Sequence, residues 1–207
     1  MLYCPTRYDS KRTGYKFGSY VKDQGLYHPG IDFNYGVGDD DKYQPIMSPT
    51  WGLVLYVSPA GTNGGLGNYV VLNHPHNNAS TRYLHNDSII VKVGETVYPN
   101  QIIAYLGDSG TSSSHCHFEV LNEKGLTFIK DYKRPYGRYS GGLSPSQMRS
   151  YWLDPEEWLN TQEHYFGMDA GKRLNQVETA LKWAVPPRKN MLIRLQERLK
   201  TMIGSHP

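Results

Sequence analysis

Between residues 31 and 126 the chain is cut into short apolar runs, each closed by a turn signal. The runs are IDFNYG, WGLVLYVS, NYVVLNH, TRYLHN, IIVKV, IIAYLG and HCHFEVL. Between them lie GVGDDDKYQP, PAGTNGGLG, HPHNNAS, GETVYPNQ and DSGTSSS, crowded with Gly, Pro, Asn, Asp and Ser. Runs this short and this evenly spaced predict strands of an all-β sheet, sandwich or barrel, and argue against βαβ units.

The flanks read differently. Residues 1–27 are polar, aromatic and irregular, and KDYKRPYGRYSGGLSPSQ marks residues 127–150 as a long surface insertion. LDPEEWL predicts a helix start, with Asp154 as cap and Pro155 in the first turn. Leu174, Val177, Leu181 and Val185 recur at helical spacing, as do Leu192, Leu195, Leu199 and Met202. The expected organisation is a domain over 1–160, with its core at 28–126, followed by a basic helical hairpin over 161–207. Residues 1–159 carry a net charge of −1 and residues 160–207 a net of +4. No dense Lys/Arg stripe exists, so no nucleic-acid partner is expected. No apolar run is long enough to span a membrane. Cys4 and Cys116 are too few for a disulfide framework. The opening MLYCPTRYDSKRTG shows no apolar signal core, so cytoplasmic synthesis without a cleaved signal is expected.

Chemistry concentrates in the histidines. In SSSHCHFEV, strand alternation turns His115 and His117 to one face and Cys116 and Phe118 to the other. Two imidazoles roughly 6–7 Å apart can converge on one small object, a metal ion being the natural candidate. In YHPGIDF, Pro29-Gly30 forbids a regular helix between His28 and Asp32. A turn could still bring both side chains to one point, although Asp32 could equally be a turn or cap residue. In RYLHND, alternation puts Tyr83 and His85 on one face; with a turn after it, His85 could sit at the rim of a cleft or be a strand-end histidine bonded to water. Two imidazoles and one carboxylate with a fourth position open make a catalytic type of zinc site. Zinc would ionise water near neutral pH, while a neutral histidine moves the proton and an imidazolium holds the oxyanion. Spacing leaves open which of His85, His115 and His117 are ligands and which assist.

Four stretches in order resemble the lysostaphin/LytM-type zinc metallopeptidases, which cut peptide cross-links of bacterial peptidoglycan. They are HPGID (28–32), GLGNYVVLNH…RYLH (65–85), VKVGETVYPNQIIAYLGDSG (91–110) and HCHFEV (115–120). The resemblance implies a mainly β fold, a compact antiparallel β-sheet domain of the duplicated hybrid motif, here with a short C-terminal helical extension. It implies His28, Asp32 and His117 as ligands of Zn2+ and His85 and His115 as the catalytic histidines. Its substrates are peptidoglycan stem or cross-bridge peptides, for which loops 37–45, 59–68, 108–114 and 127–145 could wall a groove. Tyr83, Tyr132, Tyr136 and Tyr139 are candidate wall residues, with Tyr83 first as a substrate contact. A non-catalytic binding or regulatory module of the same fold is the alternative. The basic tail would suit a bacteriophage lysin or virion component acting at the wall, with the helices serving oligomer or virion assembly.

Overall fold

A computed structural model of the chain describes residues 5–6, 14–34, 37–58, 64–130 and 136–166, with residues 193, 196, 197 and 200 beyond them. The helix expected over 172–185 lies outside the described residues, as do Tyr132 and most of 190–203, where the described Ile193, Gln196, Glu197 and Lys200 are helical.

The mainly β expectation holds. Strands β1 (Tyr20–Val21) and β2 (Leu26–Tyr27) form a small hairpin. Strands β3 (Gly30–Phe33), β4 (Pro45–Met47), β5 (Gly52–Val57), β6 (Asn68–His74), β7 (Ala79–Ile89), β8 (Thr96–Val97), β9 (Ile102–Leu106), β10 (Cys116–Leu121) and β11 (Trp152–Leu153) form one sheet. All its pairings are antiparallel. Its main path runs β11-β10-β7-β6-β5-β8, with β3 on the N-terminal half of β10 and β9 joining the end of β7 to β4.

Each central strand is buried on both faces, so alternation separates two apolar clusters rather than apolar from polar. Val70 and Leu72 of β6 join Phe33, Tyr83, Phe118 and Val120 in the larger core. Tyr69 and Val71 of the same strand face the other way, with Leu66 and Leu84. Side chains of period 2 on a two-sided strand require exactly this division of odd and even positions. Helix α3 (Pro155–Phe166) covers the first face, burying Trp158 and Leu159 there. The Asp154 carboxylate accepts the Glu156 amide at 2.9 Å, as an N-cap should.

Two expectations need correction. IIVKV is not a strand beyond Ile89: residues 90–95 turn, with Gly94 at φ +85°. The insertion over 127–150 is partly helical. Helix α1 (Glu123–Lys130) enters it, and its Gly125 amide donates to the Asn122 side chain. Helix α2 (Pro145–Tyr151) closes it, started by a capping box between Ser144 and Gln147 with Pro145 in the first turn. SPSQ carries that signal, hidden among loop-like residues. Helix α3 continues through position 160 to Phe166. Gln162 on its last turns is buried and its side-chain oxygen accepts from Asn77.

Candidate metal centre

Asp32 of β3 and His117 of β10 are direct partners in the ladder, so their side chains rise from the same face of the sheet. Oδ1 of Asp32 lies 2.8 Å from Nδ1 of His117 and 3.2 Å from Nε2 of His28. His28 sits in the two-residue link between β2 and β3, with its ring 4.6 Å edge-on from that of His117. All three side chains are buried.

These residues fit a divalent ion by their free atoms. His28 Nδ1 donates to the Gly30 carbonyl at 2.8 Å, which leaves Nε2 as a lone pair toward Asp32. Asp32 Oδ2 accepts the Tyr15 amide at 3.2 Å, which leaves Oδ1. His117 Nε2 faces Glu119 Oε1 at 3.0 Å, which leaves Nδ1. The three remaining atoms converge within 4.8 Å of one another. A tetrahedron with bonds of about 2.1 Å has edges of about 3.4 Å, beside the 2.8 Å and 3.2 Å that separate Asp32 Oδ1 from the two nitrogens. In each residue one polar atom is tied to the protein and the other is presented, the arrangement by which outer partners orient ligands.

The electrostatics follow from this packing. Burial opposes a charge on Asp32, but the contacts with His117 and His28 outweigh it and hold the carboxyl far below its usual range. Burial likewise disfavours an imidazolium at His117, yet Asp32 and Glu119 hold its pKa up to about 9. Without a metal, that ring therefore carries a proton between two carboxylates.

His85 and His115 flank the trio. Their rings are 4.7 Å apart, His85 lies 6.1 Å from the His117 ring, and His115 Nε2 is 3.8 Å from Asp32 Oδ1. Each is aimed by a backbone carbonyl: His85 Nδ1 donates to Ser109 at 2.9 Å, and His115 Nδ1 to Ser113 at 3.0 Å. Both Nε2 atoms are therefore acceptors on neutral rings. Burial pushes His85 down to about 3, helped by the charges of His115 and His117. Burial lowers His115 too, against the pull of Asp32. Either ring becomes a donor at Nε2 after taking a proton.

Tyr83 is a correction. It is 0% exposed in the core beside Phe118, its hydroxyl sharing a 3.0 Å hydrogen bond with Thr81. It cannot touch a substrate. Strand alternation linked it to His85, but His85 sits at φ +63°, a left-handed kink that breaks the alternation and swings the imidazole to the His117 side. Ser109 braces that kink, its hydroxyl donating to the Asn86 carbonyl at 2.6 Å and accepting the Asn68 amide at 2.9 Å.

The five side chains line a cavity of about 930 Å³. Its walls include Leu66, Thr111 and Tyr139 from three of the four expected loops. The fourth wall is not loop 37–45 but the segment before the site, with Tyr15 and Gln24. Loop 37–45 acts from behind: Asp39 accepts the Ser114 amide at 3.1 Å and Asp41 the Ser114 hydroxyl at 2.6 Å, next to His115.

Sequence reasoning also missed Glu119 and Arg82. Both are 0% exposed, with Arg82 Nε and Nη2 each 2.9 Å from a different oxygen of Glu119. The signal was present as a second alternation step, since His117 and Glu119 are two apart on one strand.

Residues 26–128 match the profile of Peptidase family M23. The lipoprotein NlpD of Yersinia enterocolitica is 40% identical over 77 residues, 37% of this chain and 76% of that protein. The peptidoglycan DD-endopeptidase ShyB of Vibrio cholerae is 39% identical over 95 residues, 45% of this chain but only 20% of the relative's length. The solution structure of lysostaphin is similar with a TM-score of 0.51 at 25% identity, over 74% of this chain and 51% of that one.

Proposed function

The chain belongs to peptidase family M23, and we propose that it is a zinc-dependent endopeptidase that hydrolyses peptide cross-links of bacterial peptidoglycan. One observation carries the reading: His28, Asp32 and His117 converge with one free donor atom each, while His85 and His115 aim bare Nε2 atoms at the same cavity. Two nitrogens and one carboxylate oxygen suit zinc. Bound there, zinc supplies a Lewis acid for a peptide carbonyl and a nucleophile at neutral pH.

The remaining work falls to the chain's own residues. His85 and His115, neutral at the outset, accept a proton at Nε2 and return it to the leaving amine. Once protonated, the same atom donates to the oxyanion of the tetrahedral intermediate. The carbonyls of Ser109 and Ser113 keep both rings aimed throughout. The cavity, walled largely by glycine, serine and tyrosine, accommodates an extended peptide lying across the site. The site of action is then the bacterial wall. Action as a bacteriophage lysin or virion component rests on the sequence of 161–207 alone.

The test is release of muropeptides from purified peptidoglycan, with and without a chelator, by the full chain and by His117→Ala. Cleavage that stops with the chelator and in the variant supports the proposal. Undiminished turnover by His117→Ala sinks it. Wall material held but left uncut by the metal-loaded protein would support the non-catalytic binding or regulatory module instead.

A further inference from the structure

We propose that Glu119 is a positioning residue that selects Nδ1 of His117 as the metal-binding atom, and that Arg82 extends this hold to the wall of the cavity. The inference rests on the assignment of His117 as a ligand.

The geometry is a closed set of hydrogen bonds. Glu119 Oε1 accepts from His117 Nε2 at 3.0 Å and from Arg82 Nη2 at 2.9 Å. Its Oε2 accepts from Arg82 Nε and from Trp152 Nε1, both at 2.9 Å. With its carboxylate so occupied, Glu119 can turn only one face to His117. The His117 ring therefore keeps its proton on Nε2 and presents Nδ1 toward Asp32 and His28. Gly30 makes the contact possible, because a Cβ there would stand 3.0 Å from both His117 Nε2 and Glu119 Cγ.

Arg82 has a second pair of bonds. Its Nη1 donates to the carbonyls of Tyr136 at 2.7 Å and Arg138 at 3.0 Å. Those two residues lead into the cavity wall, where Tyr139 lies 5.9 Å from the His117 ring. One guanidinium thus joins the carboxylate behind the metal ligand to the backbone of the wall beside it. A buried ion pair gains little stability over apolar residues of the same volume. Its forked geometry, by contrast, suits the task of fixing two other groups.

The experiment uses the full chain loaded with zinc in competition with a chromophoric chelator, and with Co2+ as a spectroscopic probe. Glu119→Gln is expected to weaken zinc binding about 10- to 100-fold and to alter the Co2+ absorption bands. Arg82→Lys keeps the charge but loses the fork, and is expected to raise KM for a cross-linked peptide by a larger factor than it lowers kcat. Zinc affinity and Co2+ bands unchanged in Glu119→Gln overturn the role of Glu119. An unchanged KM in Arg82→Lys overturns the link to the wall. If Glu119→Gln does not fold, the Arg82→Met/Glu119→Met pair removes both charges together, and wild-type zinc affinity in that protein overturns the proposal equally. A wild-type chain that takes up no zinc refutes the metal centre itself, a distinct outcome.

Discussion

Nδ1 of His117 and Oδ1 of Asp32 stand 2.8 Å apart because the two residues are direct partners across the β3–β10 ladder. The sheet itself therefore sets the spacing of two of the three candidate ligands. His28, in the link between β2 and β3, needs only to reach a pair already in place. Loss of either strand's register would dismantle the centre as surely as loss of a ligand.

Metal uptake should release a proton. Asp32 and Glu119, outweighing burial, hold His117 up to about 9, while a ligating Nδ1 must be bare. Zinc affinity is then expected to rise about tenfold per pH unit between pH 7 and 9, and to level off above. In the metal-free protein the sign is opposite. A pKa raised above its unfolded value adds stability that is complete below the unfolded value near 6.5 and disappears as pH climbs through 9. Titration calorimetry in two buffers of different protonation enthalpy reads the proton directly; identical heats would refute it.

His85→Ala should separate chemistry from metal binding. His85 lies beside the ligands but presents its free Nε2 to the cavity. Cleavage of peptidoglycan is expected to fall about 10²- to 10⁴-fold, with zinc content by mass spectrometry unchanged. Loss of zinc from the variant would make His85 a ligand.

Gly30→Ala tests the close approach behind His117. The new Cβ would overlap the Phe118 carbonyl oxygen, part of the backbone of β10. A destabilisation of about 1–3 kcal/mol is expected, with weaker zinc binding, because β3 must shift away from its partner. Thermal melting with and without zinc measures both, and a wild-type profile would show that the ladder yields at no cost.

Helix α3 packs Trp158 and Leu159 into the larger apolar cluster. Leu159 is 0% exposed against the larger apolar cluster. Leu159→Ala is expected to cost about 2–5 kcal/mol in chemical denaturation. A chain ending before residue 155 should fail to fold, whereas one ending at 166 should keep its zinc affinity. A stable shorter chain would show that the core does not depend on α3.

Much of this was legible in the residues themselves. Apolar runs and turn residues announced an antiparallel sheet, because side-chain alternation and turn chemistry are local properties. H-x-H placed His115 and His117 toward one site for the same reason, and HPGID offered the third and fourth side chains. Local rules failed where backbone geometry departed from them. The positive φ of His85 reversed the face assigned to it through Tyr83, sending one ring to the site and the other into the core. SPSQ hid a helix start among loop residues until its reciprocal hydrogen bonds formed.

By itself, then, the sequence determined the strands, the kinds of side chain they carry and the chemistry those side chains permit. Only the tertiary structure decided which of them meet. Asp32 finds His117 across 85 positions, Arg82 finds Glu119 across 37, and the segment at 14–24 takes the wall expected of 37–45. Such meetings depend on strand register and on competition for buried hydrogen bonds, which belong to the folded chain as a whole and leave no mark at any one position.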